Sequence, residues 1–155
     1  MILATCRLDI QKVMNEVIKT FDNSIICGRR GEREQEKAFK EKRSKAHFGE
    51  SPHNYPESFA VDAPPYPIDW RGEKELLEAA KAGDFKEVIE ILHNLERWTL
   101  YAGHVLATAR QMKERGEISI ELKWGGDWDR DTHLSDNRFD DFPHFEIVGW
   151  REMVS

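Results

Sequence analysis

The sequence predicts an α+β fold, a small antiparallel sheet flanked by helices. Three observations carry that expectation. Apolar residues recur at helical spacing in an early and a middle stretch, short apolar or alternating runs are scattered among them, and helices come first in the chain. With 155 residues the chain is expected to form one domain, 1–155, long enough to bury a core.

Leu8 to Phe21 reads as an amphipathic helix that Asp22-Asn23-Ser24 breaks. Ile25-Ile26-Cys27 reads as a short buried strand, ended by Gly28. Glu32 to Lys42 is a second, highly charged helix, and Arg43 to Pro52 has no period and reads as a loop. Ser58 to Asp62 is a strand; Pro64, Pro65 and Pro67 then keep the chain extended to Trp70. Glu73 to Ala82 is a helix with Gly83 as its C-cap, and Asp84 is placed to N-cap the next one. That helix runs to about Arg115, with Gly116 as its stop and a break expected near His93 to Trp98 because of its length. Val88, Ile89, Ile91, Leu92, Leu95, Trp98, Tyr101, Ala102, Val105, Leu106, Ala109 and Met112 would furnish its buried face. Ile118 to Lys123 alternates as a half-buried strand, Gly125-Gly126 turns the chain, Asp127 to Asp141 is an acidic loop, and His144 to Val148 is a last strand.

Composition sets the partners. Charged residues are 34% and the net charge is -6, which disfavours a nucleic-acid partner. Cys6 and Cys27 have no CxxC spacing, so a disulfide framework is not expected and a reducing compartment fits. The start of the chain lacks the basic and apolar regions of a signal peptide, and no run has the length of a membrane span. The expectation is a monomer with no stable membrane association, made in the cytoplasm and needing another agent to reach anything outside it.

Two fragments carry chemistry. Ser51 to Asp62 places His53 and Asp62 at either end of a turn that enters a strand, and Asp141-Phe142-Pro143-His144-Phe145-Glu146 supplies a second histidine with a carboxylate three positions before it. Two imidazoles and one carboxylate, from His53, His144 and Asp62, make a three-ligand zinc set with one position open for catalysis. Asp141 would serve as general base, and Arg30, after the Gly28 turn, is the candidate to steady an oxyanion. Taken singly, each residue has a plainer reading: a packed histidine, a strand-ending aspartate, a solvated acid or arginine. Glu146 shares a strand face with His144 and could support it. Asp127, Asp129 and Asp131 alternate as the first ligands of a calcium loop do, but Thr132 and Arg138 stand where glycine and glutamate belong; a solvated loop is favoured, with Ca2+ as the alternative.

These motifs together resemble the M15 family of zinc peptidases. The resemblance rests on Gly28-Arg29-Arg30 with Gln35, Ser51-Pro52-His53-Asn54-Tyr55, Ala60-Val61-Asp62, Pro67-Ile68-Asp69-Trp70, Trp124-Gly125-Gly126-Asp127-Trp128 and the fragment from Asp141 to Glu146. The family includes D-Ala-D-Ala carboxypeptidases and dipeptidases of the VanY and VanX type, and the chain looks most like the phage and prophage L-alanyl-D-glutamate endopeptidases. The resemblance implies a Hedgehog/DD-peptidase-like fold, zinc held by His53, Asp62 and His144, Asp141 as catalytic base and Arg30 on the scissile carbonyl. It also implies that Ser51 and Gln35 assist substrate binding or support the site from behind. Peptidoglycan is the implied partner, and an endolysin the implied role. A D-Ala-D-Ala carboxypeptidase or dipeptidase on the same site is the alternative within enzymes, and a non-catalytic zinc-bearing binding module the alternative outside them. Eight residues separate His53 from Asp62, more than is common in the family, with Pro56-Glu57-Ser58 in place of a glycine region. Glu57 is the alternative carboxylate in that gap.

Overall fold

The computed structural model describes residues 1–134 and 139–155. Four helices and three strands follow one another as α1 (Leu8–Val17), α2 (Glu32–Lys40), β1 (Ala60–Asp62), α3 (Glu73–Ala82), α4 (Phe85–Glu114), β2 (Leu122–Gly125) and β3 (Asp141–Ile147). Short 3-10 turns sit at Leu3–Thr5, Pro52–Asn54 and Trp150–Met153. The sheet is antiparallel with order β1-β3-β2. This is the α+β architecture the hydrophobic pattern implies. No described helix is long and apolar enough to cross a membrane.

Helix α1 turns one face inward. Ile10, Val13, Met14 and Val17 are buried and lie three or four positions apart, the spacing of a single helical stripe. They meet Tyr101, Ala102, Val105, Ala109 and Met112 of α4 and the inward residues Val61, Phe145 and Ile147 of the sheet in one core. α1 stops at Val17, four residues short of the expected Phe21; residues 18–21 close in hydrogen-bonded turns onto Met14, Glu16 and Val17. Gly83 takes φ 72°, left-handed backbone that suits glycine, and the side chain of Asp84 accepts from the Glu87 N–H at 3.1 Å to start α4.

Helix α4 runs 30 residues without the expected break. Two residues assigned to its buried face are exposed instead, Ile89 at 53% and Leu92 at 43%. α4 packs on α3, α1 and the sheet, and its enclosed stripe runs through Ile91, Asn94 and Trp98 rather than through Ile89 and Leu92. Asn94, which periodicity does not single out, is buried in their stead.

Ile25–Cys27 does not form the expected strand. Cys27 makes only an isolated bridge to Asp62, with the Asp62 N–H donating to the Cys27 carbonyl at 2.9 Å. Pro64 and Pro65 have no N–H, so facing residues 23–24 they can only accept, as the Pro64 carbonyl does from the Ser24 N–H at 2.9 Å. Ile118, Ile120 and Leu122 do alternate inward, but pairing starts only at Leu122, opposite Ile147. The last strand begins at Asp141, three residues before His144. Asp127 to Leu134 and Phe139 to Asp140 have no regular element, while residues 135–138, including Arg138, lie outside the described part.

Candidate active site

The sheet register brings the two sequence fragments together. In the β1–β3 pair Asp62 stands directly opposite His144 and Val61 opposite Phe145. Strand side chains alternate, so Asp62, His144 and Glu146 look out of the sheet on one face while Val61, Phe145 and Ile147 fill the core on the other. The eight-residue stretch between His53 and Asp62 does not turn Asp62 away. It carries the chain from the Pro52–Asn54 turn back into β1, and Asp62 Oδ1 faces both imidazoles.

His53 is held by its own turn. Ser51 Oγ accepts from the His53 N–H at 3.3 Å, and Asn54 Oδ1 accepts from the Ser51 N–H at 3.2 Å. The His53 ring donates from Nδ1 to the Gly28 carbonyl at 2.6 Å, which leaves the Nε2 lone pair for the site. Gly28 can come so close because it has no side chain: a Cβ there would lie 2.4 Å from Thr5 Oγ1 and 2.9 Å from the Ile2 carbonyl. His144 is arranged the other way round. Its Nε2 donates to Glu146 Oε2 at 3.1 Å, leaving the Nδ1 lone pair to face inward, and Glu146 Oε1 in turn pairs with Lys123 at 2.9 Å.

Three acceptor atoms therefore converge. His53 Nε2 and Asp62 Oδ1 are 3.1 Å apart, His53 Nε2 and His144 Nδ1 3.2 Å, and His144 Nδ1 and Asp62 Oδ1 2.9 Å. Tetrahedral zinc with bonds near 2.0–2.1 Å spaces its donors at about 3.3 Å. The residues fit such an ion. Lone pairs aimed at one point repel one another unless a positive charge sits among them, and the titration behaviour reflects that demand. Burial works against a charged His53, but the Asp62 carboxylate outweighs it and pushes the imidazole up to about 10. Burial would raise Asp62, yet His53 and His144 hold it far below the usual carboxylate range. His144 is raised, its burial overcome by Asp62 and Glu146.

Cys27, His53 and Asp62 also form a group whose donor atoms lie within 4.8 Å of one another and could hold a metal ion. The thiol lies 3.7 Å from His53 Nδ1, the nitrogen already committed to Gly28, so it backs the imidazole on the side away from His144. The set that includes His144 uses the free lone pairs. Nothing in the sequence pattern singled out Cys27; its place follows from the bridge to Asp62.

Asp141 opens β3 opposite Gly125, where the β2–β3 register shifts. A Cβ on Gly125 would lie 2.3 Å from the Asp141 carbonyl, so any larger residue there would displace this end of the strand. Burial raises the Asp141 carboxyl and Asp62 adds to the effect, while His144, His53 and Arg30 oppose it. The Arg30 N–H donates to the His53 carbonyl at 2.7 Å, and the guanidinium reaches Gln35 Oε1 at 3.2 Å and both Cys27 Sγ and Asp62 Oδ2 at 3.4 Å. A cavity of about 860 Å³ opens over this face, with Arg30, Ser51, His53, Asp62, Asp141 and His144 in its wall.

Of the two roles the resemblance implies for Gln35, its position suits support from behind the site. Gln35 is 0% exposed and absent from the cavity wall. Its carbonyl accepts from Arg30 and Asn54, and its amide donates to Ser44 Oγ and the Ala46 carbonyl at 2.9 and 2.6 Å. It sits behind Arg30 and fixes it. Ser51, 6% exposed, caps the His53 turn while lining the cavity.

The carboxylates of Asp127, Asp129 and Asp131 also cluster within 4.8 Å. One oxygen of each turns back on its own loop: Asp127 Oδ2, Asp129 Oδ1 and Asp131 Oδ1 accept from the N–H groups of Thr132, Asp131 and His133, while Asp127 Oδ1 is buried with no hydrogen-bond partner among the described residues.

Neither a family model nor a curated protein matches the sequence. Among solved structures, the chain is similar to the Serratia marcescens L-Ala D-Glu endopeptidase ChiX, with a TM-score of 0.60 and 19% identity over 99% of this chain and 88% of that one. At that identity the likeness is one of fold. The chain therefore shares its fold with this endopeptidase.

Proposed function

We propose that this protein is a zinc-dependent peptidase of the M15 type that hydrolyses the stem peptide of peptidoglycan at the L-Ala–D-Glu bond, as a phage or prophage endolysin. The observation that carries the reading is the convergence of His53 Nε2, Asp62 Oδ1 and His144 Nδ1 on one point at the wall of an open cavity. The fold shared with an L-Ala D-Glu endopeptidase supports it.

In this reading His53, Asp62 and His144 hold zinc. The ion, when bound, supplies a Lewis acid that polarises a carbonyl and makes water acidic enough to lose its proton near neutrality. Asp141, in the same cavity wall, takes a proton from the attacking water and returns it to the leaving amine. Its burial makes it a stronger base than an exposed aspartate. Arg30 donates to the carbonyl oxygen as negative charge builds there, exchanging its long 3.4 Å contact with Asp62 while Nη1 stays on Gln35. Gln35 keeps the guanidinium over the cavity. Ser51 and Glu146 fix the two imidazoles, Glu146 by accepting the proton side of His144.

The test is a digest of purified peptidoglycan with products identified by mass spectrometry, with and without a zinc chelator. A new N-terminal D-Glu, abolished by the chelator and restored by zinc, is the expected result. Released D-Ala would move the activity to the other end of the stem peptide, and zinc binding without any product would make the chain a binding module.

A further inference from the structure

A second hollow of about 370 Å³ lies on the other side of Asp141, which lines both. Its character is different. Trp70 presents 61% of its surface there, over a row of rings in which Trp98 follows at 5.8 Å, Phe142 at a further 6.2 Å and Trp124 at a further 5.4 Å. An exposed tryptophan on a loose loop would mean little. Here the loop is built to hold it. Asn94 donates to the carbonyls of Asp69 and Arg71 at 3.1 and 3.0 Å, and Trp98 Nε1 donates to the Asp69 carbonyl at 3.1 Å. Arg71 grips Asp69 through Nε and Nη2 at 3.0 and 2.6 Å and reaches Glu87 at 2.7 Å.

Charge separates the two hollows. The larger one sets five basic residues, among them Arg30, Lys45 and Arg151, against four carboxylates, a balance that tolerates an acidic peptide. The smaller one carries Asp69, Glu73 and Asp140, and its one cation, Arg71, is spent on Asp69 and Glu87. The excess of carboxylates repels an acidic peptide, and although Asp69 is held by Arg71, Glu73 can accept hydrogen bonds from hydroxyl groups. A flat aromatic face ringed by acceptors suits a pyranose, whose C–H face stacks on the ring while its hydroxyls donate outward.

We propose that the Trp70 hollow is a sugar subsite for the muramic ring that carries the stem peptide. The proposal rests on the peptidase reading above. In peptidoglycan the L-Ala of an L-Ala–D-Glu bond is joined directly to the lactyl group of that sugar. One extended residue spans about 3.5 Å, so the ring must lie close beside the scissile carbonyl, as this hollow lies beside Asp141.

The test compares two substrates with the same peptide, one carrying its muramic sugar and one without it. The zinc-loaded wild type should cleave the sugar-bearing substrate with kcat/KM about tenfold higher, the weight of one stacked aromatic contact. Trp70→Ala should erase that advantage through KM and leave the sugar-free peptide unchanged, with Trp70→Phe recovering part of it. No advantage in the wild type, or an equal loss on both substrates, overturns the subsite. Cleavage of neither substrate by the wild type would sink the peptidase reading itself. The subsite is then decided by calorimetric titration of the peptide-free GlcNAc–MurNAc disaccharide: binding that Trp70→Ala abolishes supports it, and no binding, or binding unaffected by the substitution, overturns it.

Discussion

The molecule carries two clusters of metal-type donors among its described residues, and they are built in opposite ways. His53, Asp62 and His144 mix two neutral rings with one charge, are buried or nearly so, and are each braced from behind by Gly28, Arg30 or Glu146. Asp127, Asp129 and Asp131 are three like charges, two of them exposed, and their oxygens answer to the N–H groups of their own loop. The first arrangement aims three lone pairs from three different segments at one point; in the second, one oxygen of each carboxylate is turned back on the loop and Asp127 Oδ1 is left buried without a hydrogen-bond partner among the described residues. Preorganised acceptors with their outer atoms already committed separate a site from a cluster.

The sharpest way to break this contrast is to remove a member of the first set. His53→Ala, Asp62→Ala or His144→Ala should each lose stoichiometric zinc by elemental analysis, together with about 10³-fold or more of the turnover. Retention of zinc in His144→Ala, with loss in Cys27→Ala, would move the centre to the thiol-containing set. Asp141→Asn comes next: zinc should remain, while kcat falls by about 10²- to 10⁴-fold. The wild-type pH profile belongs with it. Asp141 works as a base only when deprotonated, and burial raises its pKa, so kcat/KM should rise with pH along an acidic limb placed above the ordinary aspartate range. The contribution of Asp141 to that limb should vanish in the asparagine variant.

Smaller effects test the bracing. Glu146→Gln keeps the shape but weakens acceptance from His144, and zinc affinity measured by competition with a chelating dye should fall about 10- to 100-fold. The acidic loop should be the least sensitive. Asp129→Asn combined with Asp131→Asn should leave zinc binding intact and change stability by no more than about 0.5 kcal/mol in denaturant melts. A calcium-dependent rise in Tm that this pair abolishes would turn the loop from a solvated turn into a second site.

The parts of the molecule that were legible in the sequence are those decided locally. Gly83 and Asp84 mark a helix end and a helix start because each satisfies backbone groups within a few residues. The pairing of Asp62 with His144 is not local. Spacing shows two fragments with compatible donors, and it took a family resemblance to join them, because antiparallel register across 82 residues leaves no periodic trace. Ile25–Cys27 was misleading for a similar reason, since its apolar run suits a strand but its backbone bonding is confined to Asp62, and the residues just before it face two prolines with no N–H to give. Ile89 and Leu92 lie on the periodic stripe of α4 yet face water, since periodicity reports which face is apolar and not how far the neighbouring layer extends. Gln35 has the right chemistry for a substrate contact and is enclosed by the 44–46 segment, which no motif describes.

The place of β3 in the sheet has a consequence for how the protein can fail. It is the central strand, hydrogen-bonded on both edges, and Phe145 and Ile147 alternate with His144 and Glu146 along it. Amides in such a strand exchange with solvent only through the largest openings a protein makes. Fraying at either terminus therefore leaves His144 and Glu146 in register. His144 and Glu146 are lost only with the sheet itself, whereas His53, on its own turn, is the donor that can leave first.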